Sequence, residues 1–182
     1  MTAAPWLVAI DLQRVFGDPS SQWVAPRYAA AAANTARLAE RFGDRSVFTR
    51  FVAPQDPQGA WVPYYESFPW ALEPPDSKLY EFTDEVAPLV RRTVTATTFG
   101  KWGDDLRSVV GDHPELVVAG VATDCCVIST VLAAADAGAS LTVVTDACAG
   151  STDENHQKAL DVMALYMPLV SFTTTGELLG AS

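Results

Sequence analysis

Residues 116–145 read LVVAGVATDCCVISTVLAAADAGASLTVVT. Leu116 to Ala119 is an apolar run of strand length, Gly120 supplies a turn, Asp124 to Ala137 carries an alanine-rich helical pattern stopped by Gly138, and Leu141 to Thr145 is a second β-branched run. Two strands joined through a helix must lie parallel, because only a crossover returns the chain to the same end of the sheet. The rest of the chain repeats the rhythm: strand Trp6 to Ile10 ending at Asp11, helix Arg27 to Phe42 stopped by Gly43, and strand Ser46 to Val52. Then follow a short strand around Arg92 to Thr95, a helix from about Gly103 to Val110, a helix from Asp153 to Tyr166 and a last strand, Leu169 to Thr173. The pattern specifies an α/β fold, a mainly parallel sheet covered by helices on both faces. No repeat, low-complexity tract or linker interrupts it, so residues 1–182 are expected to form a single domain.

One segment breaks the rhythm. Residues 53–90 begin APQDPQGAWVPYYESFPWALEPPDSKLYEF, a proline-rich excursion with Trp61, Tyr64, Tyr65, Phe68 and Trp70. It reads as a long loop, and loops of this length usually cover a site or an interface. Three outcomes stay open: aromatics packed down on the domain, a cover over a substrate, or a subunit contact.

Charge and cysteine usage narrow the partners. The formal charge is −10, and the excess is uneven: residues 1–103 hold 10 basic and 11 acidic residues, those from Asp104 onward 2 and 11. Such a surface is unsuited to phosphate backbones or anionic lipid, which excludes nucleic acid and membrane as general partners. Cys125, Cys126 and Cys148 are odd in number and include an adjacent pair, which fits neither a disulfide framework nor a CxxC metal pattern. They read as free thiols in a reducing compartment. The start, MTAAPWLVAID, lacks a basic leader before its short apolar run, so a cytoplasmic location is expected.

In parallel α/β sheets the loops leaving the carboxyl ends of the strands build the site. Three of those loops carry reactive groups: Asp11 after the first strand, Lys101 after the third, and Cys125-Cys126 at the helix start after the fourth. Thr123 or Asp124 can cap that helix, and a thiol in its first turn would have its pKa lowered by the positive end of the helix dipole. The plainer reading of such a cysteine is a small buried hydrophobe.

AIDLQRVF (residues 9–16), GVATDCCV (120–127) running into VISTVLAAADAG, and VVTDACAG with DENHQKAL resemble the isochorismatase-like cysteine hydrolases, a family that includes nicotinamidases, carbamoyl hydrolases and isochorismatase. The resemblance spans residue 6 to about residue 172. It implies a three-layer α/β/α sandwich with a six-stranded Rossmann-like sheet and a triad of Asp11, Lys101 and Cys126. In it Asp11 is the general base, Cys126 the nucleophile, and Cys125 a packing or pocket-lining neighbour. The family's lysine usually precedes a Ser/Thr-x-Phe element by about four residues. Counting back from Thr97-Thr98-Phe99 reaches Thr93 or, in a shorter register, Ala96, so the role falls to Lys101, the sole lysine of the region. The resemblance further implies a cis bond at Val121-Ala122 and an oxyanion hole from the amides of Ala122 and Cys126.

No histidine lies between residues 1 and 112, so the Asp-x-His metal element of zinc-dependent nicotinamidases cannot be built after strand two, and neither metal nor cofactor is expected. His156, in DENHQKAL, reads as a capping or interface residue before a functional one. The retained cysteine points to covalent chemistry at an amide-like carbonyl: a thioester intermediate, hydrolysed by water activated at Asp11. Isochorismatase-type vinyl-ether hydrolysis and a non-catalytic binding or assembly module are the alternatives. Phe16, Trp23, Trp61, Tyr64, Tyr65 and Trp102 are the candidate walls for a small-molecule substrate, and Arg14 or Arg50 could meet a carboxylate if not merely solvated. By resemblance a homo-oligomer, dimer or tetramer, is expected.

Overall fold

The computed structural model describes residues 4–180. Its strands are β1 (Trp6–Ile10), β2 (Ser46–Phe51), β3 (Thr93–Ala96), β4 (Glu115–Val121), β5 (Ser140–Ala149) and β6 (Val170–Thr173), and its helices are α1 (Arg14–Gly17), α2 (Tyr28–Phe42), α3 (Trp61–Ser67), α4 (Asp104–Val110), α5 (Ile128–Asp136), α6 (Asp153–Ala164) and α7 (Thr175–Gly180). The sheet runs β3-β2-β1-β4-β5-β6, and every strand pair is parallel. Because β1 lies between β2 and β4, the strand order reverses there, and a crevice opens beyond the carboxyl ends of β1 and β4. No described helix is long and apolar enough to cross a membrane.

Strand alternation sorts the core into two layers. Leu7 and Ala9 of β1 join the buried cluster with Leu38, Phe48 and Tyr80, under α2 and the excursion. Val8 and Ile10 point the other way, into a cluster with Leu106, Val131 and Met163 of α4, α5 and α6. The result is the three-layer α/β/α sandwich.

The excursion is more ordered than its proline content suggests. It holds α3 and three short 3₁₀ turns, and buries Tyr65, Ala71 and Tyr80 in the first core layer. Gln13, itself fully buried, pins it: its amide donates to the carbonyls of Phe51 and Tyr80, both at 2.8 Å, while its carbonyl accepts from the Phe51 amide at 2.8 Å. The Gln of the Asp-x-Gln opening thus stitches β2 to the excursion.

Several elements differ from the sequence reading; β4, for one, runs from Glu115 to Val121 through Gly120, where a turn was expected. β5 runs on through the TDACA segment to Ala149, past the expected end at Thr145, because it continues beside Gly120 and Val121 of β4 after a register shift. Helix α6 stops at Ala164 rather than Tyr166, where the chain turns into the cis Met167-Pro168 bond before β6. The terminal α7 had no counterpart in the sequence reading; Asp146 Oδ1 accepts from both the amide and the hydroxyl of Thr175, at 2.7 and 2.8 Å, and so secures its start.

Gly120, at the β1/β4 junction, has φ 119, and a Cβ there would overlap the backbone of Ile10. Neither the strained φ nor the close approach can be relieved by a side-chain rotation. Gly120→Ala is expected to lower unfolding free energy by about 3 kcal/mol or more, read as a shift in the urea midpoint at unchanged m value.

Candidate active site

Asp11 follows β1 with φ 52, and its side chain is fully buried at the carboxyl edge of the sheet. Thr49 of β2 donates its hydroxyl to Asp11 Oδ1 at 2.6 Å. Lys101 Nζ stands 3.0 Å from Oδ2, and neither side chain has any exposed surface. The pair meets charge to charge without the alignment of a hydrogen bond, so Oδ2 keeps acceptor capacity. Lys101 also donates to the Thr98 carbonyl at 2.5 Å, and its ammonium lies 5.5 Å from the centre of the Phe51 ring. Its own amide donates to Thr130 Oγ1 at 3.0 Å, and that hydroxyl donates to the Cys126 carbonyl at 2.7 Å. One threonine of α5 therefore ties the loop after β3 to the loop after β4.

The junction after β4 departs from the expected helix start. Residues Thr123–Val127 form a π-type turn in which the Ala122 carbonyl accepts from the amides of Cys125 and Val127, at 3.0 and 3.1 Å. Neither Thr123 nor Asp124 caps it. Thr123 Oγ1 pairs with His156 Nδ1 at 2.8 Å, and the Asp124 carboxylate accepts from the Ser151 amide and hydroxyl at 2.8 and 2.6 Å. Both side chains turn to the start of α6 and are unavailable to their own helix. The turn places Cys126 with 3% of its surface exposed, beside the cis Val121-Ala122 bond.

Burial also reverses the expected electrostatics of the thiol. It pushes the Cys126 pKa well above the ordinary value, the Asp11 carboxylate raises it further, and the Lys101 ammonium only partly offsets the two. The dipole expectation fails because the low-dielectric surroundings penalise a thiolate more than a single irregular turn can favour it. Burial likewise pushes Cys125 up to about 11 and Cys148, on β5 in the second core layer, up to about 12. At neutral pH the sulfur holds its proton.

Cys126 is reached from one cavity of about 200 Å³. Of the six aromatics picked out as walls, Phe16, Trp23, Trp61, Tyr64 and Tyr65 line it, together with Ala122 and Cys125. Trp102 does not: with the Lys101 amide held to Thr130, the next indole packs against the second core layer and borders a different depression. Asp11 and Lys101 stand behind the sulfur and off the cavity wall. Arg14 is spent on Glu81 and Asp84, and Arg50 on the carbonyls of Tyr80 and Pro75, so neither faces the cavity. Phe51, Phe99, Gln22, Val24 and Ser151 complete the lining and escaped the sequence reading. Phe51 could have been found, since it ends β2; nothing in the sequence marks Thr49 or Thr130. Among the described residues no three His, Cys, Asp or Glu side chains gather as a metal-ligand set.

A family model for the isochorismatase domain matches residues 5–176. Among solved structures, an isochorismatase-like hydrolase from Alkaliphilus metalliredigens superposes with a TM-score of 0.80 at 17% identity, over 98% of this chain and 99% of that one. A cysteine hydrolase from Pseudomonas syringae pv. phaseolicola 1448A gives 0.82 at 18% identity, over 97% and 91%. A zinc-complexed pyrazinamidase of Pyrococcus horikoshii gives 0.73 at 18%, over 94% and 99%. At these identities the superpositions speak for the fold alone. No curated protein matches the chain in sequence.

The buried pair generates a stability prediction. Asp11→Asn or Lys101→Met alone strands a buried charge and is expected to cost about 3 to 5 kcal/mol in denaturant unfolding, whereas the double variant recovers a substantial part. Additive losses would show that the two do not interact. The thiol generates another: alkylation of Cys126 by iodoacetamide, followed by peptide mass spectrometry, should climb throughout the alkaline range, and Lys101→Met should move the climb to still higher pH. A rate already at its plateau at neutral pH would contradict the buried, protonated thiol.

Proposed function

This chain belongs to the isochorismatase domain family, and from that premise we propose that it is a cysteine-dependent hydrolase of a small, uncharged, largely apolar amide. The observation that carries the reading is the convergence of three loops: Lys101 on Asp11 at 3.0 Å, and both charges acting on a Cys126 that opens to an aromatic cavity. Asp11 takes the thiol proton as a carbonyl arrives, and Lys101 offsets the negative charge that then appears on sulfur. The thiolate adds to the carbonyl carbon, with the amides of Ala122 and Cys126 receiving the oxyanion in the role the family resemblance assigns them. Collapse breaks the C–N bond, and the amine leaves with the proton held at Asp11. Water, deprotonated by Asp11, adds to the thioester carbonyl; the acid departs and the thiol is restored.

The lining supports a neutral substrate. Among the described residues no charged side chain borders the cavity, and the Lys101 ammonium behind it is committed to Asp11 and the Thr98 carbonyl. A carboxylate entering this chamber would lose its hydration without meeting a counter-charge. That weighs against ureido acids and against the dicarboxylate isochorismate, and for flat aromatic carboxamides.

A panel of aryl carboxamides tests this. Neutral members are expected to turn over with an acyl mass trapped on Cys126, ring-carboxylate analogues at least about tenfold more slowly, a gap of about 1.4 kcal/mol. Cys126→Ala should lose at least about 10³-fold in turnover. Hydrolysis that survives Cys126→Ala would overturn the covalent reading.

A further inference from the structure

Trp23 closes the cavity on one side. Its ring meets Phe16, Phe51, Tyr64, Phe68 and Trp70, with centroid separations of 6.3, 6.1, 6.3, 5.4 and 4.7 Å. The shortest contact crosses to another hollow. Trp70 lines a neighbouring groove of about 640 Å³, Trp23 lines the cavity of about 200 Å³, and Gln22 borders both. The Trp23–Trp70 pair, edge-on at 65°, therefore stands between an apolar chamber and a larger, polar groove. The Trp70 side of the partition is held by packing, since its buried Nε1 has no hydrogen-bond partner, while the Trp23 amide donates to Ser21 Oγ at 3.2 Å.

We propose that Trp23 is a specificity-determining residue that sets the length of the group accepted beside Cys126. A single-ring group fits the chamber and ends against the indole. A second ring in line with the first is excluded until the indole is removed, whereupon the chamber lengthens as far as Trp70, whose other side faces the groove. Only an extension that passes Trp70 would enter the groove. Its Arg14 is already paired with Glu81 and Asp84, while Lys78, exposed on the groove wall, has no ion pair among the described residues, so a tail carrying hydrogen-bond acceptors suits it.

This inference rests on the reading that Cys126 meets its substrate from this cavity, and its test does not require turnover. The 182-residue chain is treated at alkaline pH with chloroacetamides carrying one phenyl ring or a linear biphenyl, and the thioether formed at Cys126 as chloride leaves is followed by peptide mass spectrometry. In the wild type the one-ring reagent should label at least about tenfold faster, the scale of discrimination a closed apolar pocket can exert. Trp23→Leu should narrow that ratio to within about threefold by speeding the biphenyl reagent, with the fold checked by circular dichroism. A wild type that labels equally with both reagents, or a folded leucine variant that keeps the wild-type ratio, overturns the proposal. Should the leucine variant not fold, Trp23→Phe decides by the same criterion, a narrowing of at least about threefold. Labelling that behaves as expected without amide hydrolysis would count against the proposed function and leave the length limit standing.

Discussion

Two opposite charges lie at the carboxyl edge of the sheet with no side-chain surface in water, 3.0 Å apart. Neither is tolerable there without the other, because a lone buried charge costs several kcal/mol and a matched pair costs far less. That requirement couples three separate strand-to-helix loops. Asp11 is held by the end of β1 and by Thr49 of β2, and Lys101 comes from the loop after β3. Thr130 of α5 bridges the Lys101 amide to the Cys126 carbonyl. A displacement of any of these loops disturbs the ion pair, so the sulfur has a fixed electrostatic setting.

In that setting burial is the largest influence on the thiol, with the carboxylate adding to it and the ammonium opposing. The sulfur is stored in its protonated form beside the group able to remove the proton, which differs from a standing thiolate at a helix end. A resting thiolate would face whatever electrophile entered; a protonated one becomes nucleophilic only when proton transfer to Asp11 is coupled to the approach of a carbonyl.

The second constraint is steric. Gln13 uses both ends of its amide to hold the excursion against β2, and so brings Trp61, Tyr64 and Tyr65 over the crevice, where they meet Phe16 and Trp23 from the other side. The long, proline-rich segment thus packs down on the domain and walls the cavity through α3, where Tyr65 is core and lining at once. The Asp-x-Gln opening carries both constraints in three residues, one end in the ion pair and the other in the clamp.

Much of this was legible in the chain. Apolar runs of strand length alternating with helical stretches dictate a parallel sheet with two covered faces, because a crossover is the only way back to the same end. The resemblance then directed attention to Asp11, Lys101 and Cys126, and the strand-end rule to five of the cavity's aromatics. Other features depend on contacts between residues far apart in sequence. Trp102 faces the opposite core because the amide before it is tied to Thr130, and Thr123 and Asp124 serve α6 because Ser151 and His156 happen to lie opposite them. The direction of the Cys126 pKa was misjudged for the same reason: a helix terminus is visible locally, whereas burial is a sum over both layers of the sandwich. Periodicity and spacing are local properties of the chain and decided the architecture; enclosure and charge pairing arise only when distant loops converge, and tertiary structure alone decided them.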